Sequence, residues 1–328
     1  MTTYVVRRLV SVLLVTLIIA AAAFVVFYLI PASPAKLSCG KPCVPSQLAA
    51  VKKFEGIDRP VAVQFGQYLE AIVAGRTYGS GAAAVHCSAP CFGYSFRQER
   101  PVLTLIMQRI PVTASIAIGA AVLWLLVGVA VGVVSAVRRD GVFDRTALVV
   151  TLAGVAAPPF LIGLLGILVF GIWLNVLPIG GYVGLSDPAQ WAFHLVLPWC
   201  TLALIYAAWY ARLTRTQMLD VLSQDYITVA RAKGLPRRRI VGRHALRAVI
   251  PSVLVIFGVD LGMLLGGAII TEHVFGMQGL GSLLLDAVHS ADLPVVVGCT
   301  VFSGLVVVLA NLVVDIVHAA LDPRVTYS

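Results

Sequence analysis

Asp225-Tyr226-Ile227-Thr228-Val229-Ala230-Arg231-Ala232-Lys233-Gly234-Leu235-Pro236, followed by Arg237-Arg238-Arg239, lies between two long apolar stretches of the chain. Its residues predict a short helix. Asp225 is a suitable amino cap, and Gly234 supplies a left-handed stop. Pro236 fits the first position of a helix that follows. Ala230 and Gly234, four apart, predict a face nearly bare of side chains, which a second protein can approach closely. A plain basic turn after a membrane span is the alternative reading of the arginines. Such turns do not usually carry a capped, small-residue helix.

Composition places this helix in a membrane protein. The 328 residues are 59% hydrophobic and 12% charged, with a mean hydropathy of +0.95; a soluble domain carries about 25% charged residues. The net charge of +9 raises the question of nucleic acid. The basic residues cluster at the ends of apolar runs, however, and lack the aromatic interleaving of single-strand binders, so no nucleic-acid partner is expected.

Six apolar segments are long enough to cross a bilayer. They run from about Leu9 to Ile30, Val112 to Val137, Ala147 to Leu174, Leu195 to Leu213, Ile250 to Ile270 and Pro294 to His318. The first is too long for a signal-peptide core. The third contains Pro158-Pro159, which predicts a kink or break. Arg138, Arg139 and Arg145 join the second and third; Arg215 and the arginines from 231 to 247 join the fourth and fifth. The loops Asn175–His194 and Thr271–Leu293 contain neither Lys nor Arg. By the inside-positive bias, both termini and the 225–234 helix are expected on the cytoplasmic side of the membrane.

The segment from Pro31 to about Ile110 is then an extracytoplasmic lobe, with helices expected at Pro45–Phe54 and Pro60–Ala74 and a glycine-rich middle around Gly79-Ser80-Gly81. It holds Cys39, Cys43, Cys87 and Cys91. Thiols on the oxidising side of a membrane tend to pair, and three connectivities are open. A four-thiolate metal site, with His86 nearby, is the weaker alternative, so no metal is expected. Cys200 and Cys299 lie in apolar segments and read as small buried hydrophobes.

The fifth segment carries Gly258, Gly262 and Gly266, one smooth stripe for close helix packing or for sliding. Asp260, near its middle, is either a path residue or the acceptor of an interhelical hydrogen bond. The following Thr271–Leu284 stretch predicts a sharp turn and a short amphipathic helix with Leu280, Leu283, Leu284 and Val288 on its apolar face. Glu272 and His273 lack the second His of a zinc-protease helix, so a loop-bonding role is expected. No phosphate-binding loop, nucleophile elbow or HExxH helix occurs, and no catalytic residue is assigned.

These residues resemble a known family, the membrane permease subunits of bacterial ATP-binding-cassette importers for dipeptides and oligopeptides. Asp225–Leu235 is similar to the family's coupling-helix motif, with Thr228, Val229 and Ala230 in the places of Glu-Ala-Ala and Gly234 as the characteristic glycine. Thr271–Phe275, Gly279-Leu280-Gly281 and Ala320-Leu321-Asp322-Pro323-Arg324 are further matches. A short amino terminus and a long first outer loop resemble the first permease of the pair; the four lobe cysteines depart from the common pattern.

The resemblance implies an all-α membrane protein of the type I importer permease fold. Its regions would be an N-terminal transmembrane helix (1–30), the outer lobe (31–110), a five-helix transmembrane domain (111–318, coupling loop 218–249) and a cytoplasmic tail (319–328). It implies a non-catalytic subunit that binds no cofactor. ATP and Mg would be held by two partner ATPase subunits, gripped through Asp225, Tyr226, Thr228, Ala230, Arg231, Lys233 and Gly234. A second permease, an extracytoplasmic binding protein and a peptide substrate complete the set of partners; Asp260, Gly262 and Gly266 are candidate path or gate residues. Nickel, glutathione or a haem-like cargo for the same machine, or an autonomous channel or carrier for a small solute, remain as alternatives.

Overall fold

The structure, a computed structural model, describes residues 2–29, 44–55, 58–79 and 84–321. Among the described residues, five helices are long and apolar enough to cross a membrane, and a sharply bent pair, taken as one span, brings the number to six. Helix α1 is Thr2–Phe24, prolonged by a wide π-type turn at Val25–Leu29. Helices α2 (Pro45–Glu55) and α3 (Val61–Ala74) occupy the places expected in the outer lobe. Helix α4, Val102–Val137, starts well before Val112, inside what reads from sequence as lobe. At 1.5 Å per residue it is about 54 Å long, more than the hydrocarbon thickness of a bilayer, so it projects beyond it.

The proline pair breaks the third apolar segment outright. Ala157 and Pro158 both adopt extended backbone, the conformation a residue before proline favours. Helix α5 (Val142–Ala156) therefore stops, and α6 (Pro159–Trp173) leaves at 103° to it. Helix α7, Pro188–Leu222, opens with Pro188 at its first position and with Asp187 Oδ1 accepting from the Gln190 amide at 3.1 Å. Helix α8 is Asp225–Ala232 and α9 is Arg237–Leu265, with a wide turn at Ile240–Ala245. Helices α10 (Ile269–Val274), α11 (Leu280–Ser290) and α12 (Leu293–Leu321) close the chain.

The chain divides into two compact units. One gathers the residues up to Thr113 with Leu265–Ile269 and Gln278–Leu309; the other gathers Ala114–Leu264, Ile270–Met277 and the residues from Ala310. In the first, Ala20 and Ala23 of α1, Tyr68 of α3, Leu105 and Ile106 of α4, and Leu283 of α11 share one buried core with Val295–Val297 of α12. A smaller core holds the lobe together through Ala71, Tyr78, Cys87, Cys91 and Tyr94, flanked by Phe54. Two antiparallel hairpins that the sequence reading did not foresee build it: β1 (Arg76–Tyr78) with β2 (Val85–Cys87), and β3 (Tyr94–Ser95) with β4 (Arg100–Pro101). Strands of two or three residues are too short to leave a period-2 pattern.

The amphipathic helix after the fifth segment forms as α11, but its buried face is Leu280, Leu283 and Ala287; Val288 is exposed, contrary to expectation. Arg109 of α4 donates to the Gln278 side chain at 2.7 Å and to its carbonyl at 3.2 Å. Thr113 Oγ1 accepts from the Leu280 amide at 2.8 Å, which fixes where α11 begins.

In the second unit, α4 and α7 approach until their backbones touch. A Cβ at Gly128 would lie 2.7 Å from Tyr210 Cβ, and one at Gly132 would lie 2.6 Å from the Ala211 carbonyl. This four-residue glycine spacing on α4 is the close-packing seam of the unit.

Candidate functional site

Helix α8 is built as expected at its carboxyl end and differently at its start. Gly234 has φ +75°, its amide bonds the Arg231 carbonyl at 2.9 Å, and the Leu235 amide reaches back to the Ala230 carbonyl at 3.3 Å. This is a Schellman stop with glycine at its left-handed position. The amino cap is Gln224, with no side-chain bond, rather than Asp225. Asp225 is instead the first helical residue, where its charge still complements the helix dipole. Pro236 likewise precedes the first turn of α9 rather than forming it.

The bare face is also placed differently. Ala230 is buried with Ile227 against Ile240 of α9, flanked by Leu222 and Leu235. The small residue serves internal packing, because Ile240 returns across it. The face turned outward carries Asp225, Thr228, Val229 and Ala232, with Tyr226, Arg231, Lys233 and Gly234 exposed at its edges. Val229 is 53% exposed and Tyr226 48%, an unusual display for side chains of this size. Val229 stands where the motif has alanine, and its exposure is the signal that motif matching alone passes over.

Asp260 lies on α9, and Tyr210 Oη of α7 donates to its Oδ2 at 2.7 Å. The interhelical hydrogen bond, one of the two roles expected, is thus present. Trp124 stacks on Tyr206 at 4.6 Å between ring centroids and lies 5.9 Å from Phe257, so an aromatic cluster surrounds this bond. The glycine stripe is only partly helical. Gly258 faces Val314 of α12 so closely that a Cβ would lie 1.7 Å from Val314 Cγ2, and Gly262 is buried. Gly266 falls after the end of α9, where its carbonyl accepts from Ser303 Oγ at 2.6 Å. It terminates the helix instead of extending the stripe.

Cys87 and Cys91 form a disulfide, which resolves that half of the cysteine question. It also withdraws both sulfurs from a metal site, and His86 is bonded to Thr77 Oγ1 at 3.2 Å. Cys39 and Cys43 lie outside the described residues, as do Asp322-Pro323-Arg324. Among the described residues no group of three His, Cys, Asp or Glu side chains is arranged to hold a metal. Cys299 is buried, but Cys200 is exposed on the surface of α7, against the expectation for it. Glu272 is fully buried and His273 exposed.

One ion pair escaped the sequence reading. Arg215, which reads as a topology signal, is committed to the nearly fully buried Asp144 of α5. The available clue was a pair of acidic residues, Asp140 and Asp144, in a loop that otherwise carries arginines.

Comparison with known proteins draws these features together. Residues 128–327 match the family described as binding-protein-dependent transport system inner membrane component. Residues 1–117 match the companion description for the N-terminal part of such membrane components. A Brucella abortus (strain 2308) chain named as a peptide transport system permease protein is 36% identical over 328 residues, covering 100% of both chains. A Salmonella typhi chain named as a glutathione transport system permease protein is 35% identical over 327 residues, again covering 100% of both. Among solved structures, the inward-facing MetNI methionine ABC transporter matches with a TM-score of 0.53 and 18% identity, over 67% of this chain and 97% of that one. That likeness concerns the fold.

Proposed function

The chain belongs to the binding-protein-dependent transport system inner-membrane component family, and on that premise we propose that it forms, with a second permease, the path by which an ATP-driven importer takes up dipeptides and oligopeptides. The observation that carries the reading is α8: a stopped helix of eight residues between two long apolar helices, with Val229 and Tyr226 turned outward within the part of the chain that matches the family. The cargo follows the relatives, which are named for peptide and glutathione transport.

In this reading both termini and α8 face the cytoplasm. Two ATPase subunits hold ATP and Mg and grip the Asp225–Thr228–Val229–Ala232 face, with Tyr226, Arg231 and Lys233 at its edges. An extracytoplasmic binding protein delivers the peptide to the lobe. The subunit performs no chemistry of its own. Transport requires cargo and ATP to favour different states, and the contact at α8 is where the ATPase cycle enters the permease. Asp260 and Gly262 remain candidates for the path, with Tyr210 as the partner of Asp260.

The test is to purify the tagged chain from its native membrane in mild detergent and assay the eluate for ATPase activity. A second permease and ATPase subunits should co-purify, and the ATPase subunits should be lost when Val229 is replaced by Asp. A chain that emerges alone and passes solute by itself in liposomes would replace the importer with a channel.

A further inference from the structure

Behind α8, on the side away from its outward face, lies a cavity of about 590 Å³ that shares only Arg231 with the face proposed to dock the ATPases. It is walled by three helix ends: Ala136 and Val137 of α4, Leu219 and Leu222 of α7, and Ile240 and Val241 of α9. Arg139, Arg231 and Arg237 also line it. The volume is in the range of small-molecule sites, and the combination of an aliphatic wall with three guanidinium groups is amphipathic. From this we infer that the cavity is a binding site for the phosphodiester headgroup of an anionic phospholipid, with the glycerol and the roots of the acyl chains against the aliphatic wall.

Charge accounting supports the assignment. Arg215 nearby is spent on the buried Asp144 carboxylate. The three cavity arginines are not spent in that way. Arg231 Nη2 reaches the Leu222 carbonyl at 3.4 Å, and Arg237 donates to the Val137 carbonyl. Arg139 lies 3.5 Å from Asp140, where both side chains are largely exposed, 67% and 79%. Backbone carbonyls orient a guanidinium without neutralising it. Its planar fork then remains free for phosphate oxygens, which it binds with two parallel hydrogen bonds.

A lipid is favoured over a soluble anion because the walls are the terminal turns of three apolar helices, the depth at which a headgroup sits; basic pockets between spans are lipid-phosphate sites for this reason. It is favoured over an acidic protein segment because the outward residues of α8 lie on the far side of the helix from Ile227 and Ala230, whose cluster with Leu222 and Leu235 adjoins the cavity. The inference rests on the membrane placement of α4, α7 and α9 and not on the identity of the cargo.

The experiment is native mass spectrometry of the complete transporter. It is released from detergent after exposure to an equimolar mixture of phosphatidylglycerol and phosphatidylcholine with the same acyl chains. Phosphatidylglycerol should be retained about tenfold over phosphatidylcholine, the effect of one or two arginines at a headgroup. The preference should vanish in R139Q/R237Q and persist in R238Q/R239Q, whose exposed arginines do not line the cavity. Equal retention of the two lipids, or full preference in R139Q/R237Q, would overturn the assignment. So would displacement of the lipid by excess inorganic phosphate, which would make this a site for a free anion. Retention by the isolated chain but not by the complex would make it a pocket for the ATPase. Should R139Q/R237Q fail to fold, a photoreactive phosphatidylglycerol on the unaltered protein decides: crosslinks at 136–139, 219–223 or 237–241 support the site, and crosslinks confined elsewhere remove it.

Discussion

Arg215 holds Asp144 with two parallel bonds, Nε to Oδ1 at 2.6 Å and Nη2 to Oδ2 at 2.7 Å, tying the end of α7 to the first turn of α5. Ser135 of α4 donates to the same carboxylate, and the Asp140 amide does so at 3.0 Å. One carboxylate therefore fastens three helices. Removing one partner of a buried pair leaves the other charge uncompensated, which costs more than the pair contributes. We expect Asp144→Asn to lower stability by about 3 kcal/mol, read as a lower thermal midpoint of the detergent-solubilised complex. Arg215→Met with Asp144→Leu should recover part of the loss. An unchanged midpoint in Asp144→Asn would show the pair to be incidental.

Gly234 has open space around the position a Cβ would take, so substitution there acts through the backbone and not through a clash within this chain. A residue other than glycine in the left-handed region costs about 1–2 kcal/mol, and asparagine tolerates that region best. Gly234→Asn should therefore retain most uptake, whereas Gly234→Val should unwind the stop of α8 and abolish uptake in proteoliposomes while leaving membrane insertion intact. Equal uptake by the asparagine and valine forms would remove the helix stop from the mechanism.

Tyr210→Phe takes away the hydroxyl that Asp260 accepts, and Asp260→Leu takes away the acceptor. Leaving one member unpaired, the half-buried Asp260 or the fully buried Tyr210, costs about 1–3 kcal/mol, while removing both members costs less than the sum. A double-mutant cycle on thermal stability should show that coupling. If the bond is purely structural, uptake per folded transporter will be equal in all three variants. A selective loss in Asp260→Leu places this carboxylate in the path.

Asp292, between α11 and α12, is buried, and burial pushes its carboxyl above the ordinary range; a bond from Ser95 Oγ at 2.5 Å opposes that rise. The folded form then holds the proton more tightly than the unfolded form. Stability from this group is complete below the ordinary aspartate value of about 3.9 and is lost as pH rises through the elevated one. Raising pH across that window should destabilise the unaltered protein and leave Asp292→Asn comparatively level. Ser95→Ala removes the opposing bond and should extend the loss to higher pH. Parallel pH profiles for the unaltered and Asp292→Asn proteins would refute the linkage.

Elements governed by local chemistry could be read from the residues alone. Pro158-Pro159 announces a break because ring geometry restricts the residue before it, and Gly234 announces a stop because its conformation suits no other residue as well. Features that depend on what returns from elsewhere in the chain could not be read. Ala230 looks like an outward seat for a partner until Ile240 folds back over it. Gly266 looks like the third member of a stripe until α9 ends before it. Arg215 looks like a topology signal until α5 delivers Asp144. The helix at 225–232 was legible in its loop, and which of its faces points outward required the fold.

The cluster of Ile227, Ala230 and Ile240 has a mechanical consequence. A short helix on flexible tethers would absorb a push by swinging, and the work of ATP binding would dissipate in the loop. Here α8 is clamped to the root of a 29-residue helix that carries Asp260 farther along it. Play at this joint is limited to what a close-packed aliphatic contact allows, so in the proposed importer thrust delivered at Val229 would be passed on as displacement of α9. Enlarging Ala230 or trimming Ile240 would introduce backlash: nucleotide hydrolysed at full rate, with fewer molecules moved per turnover.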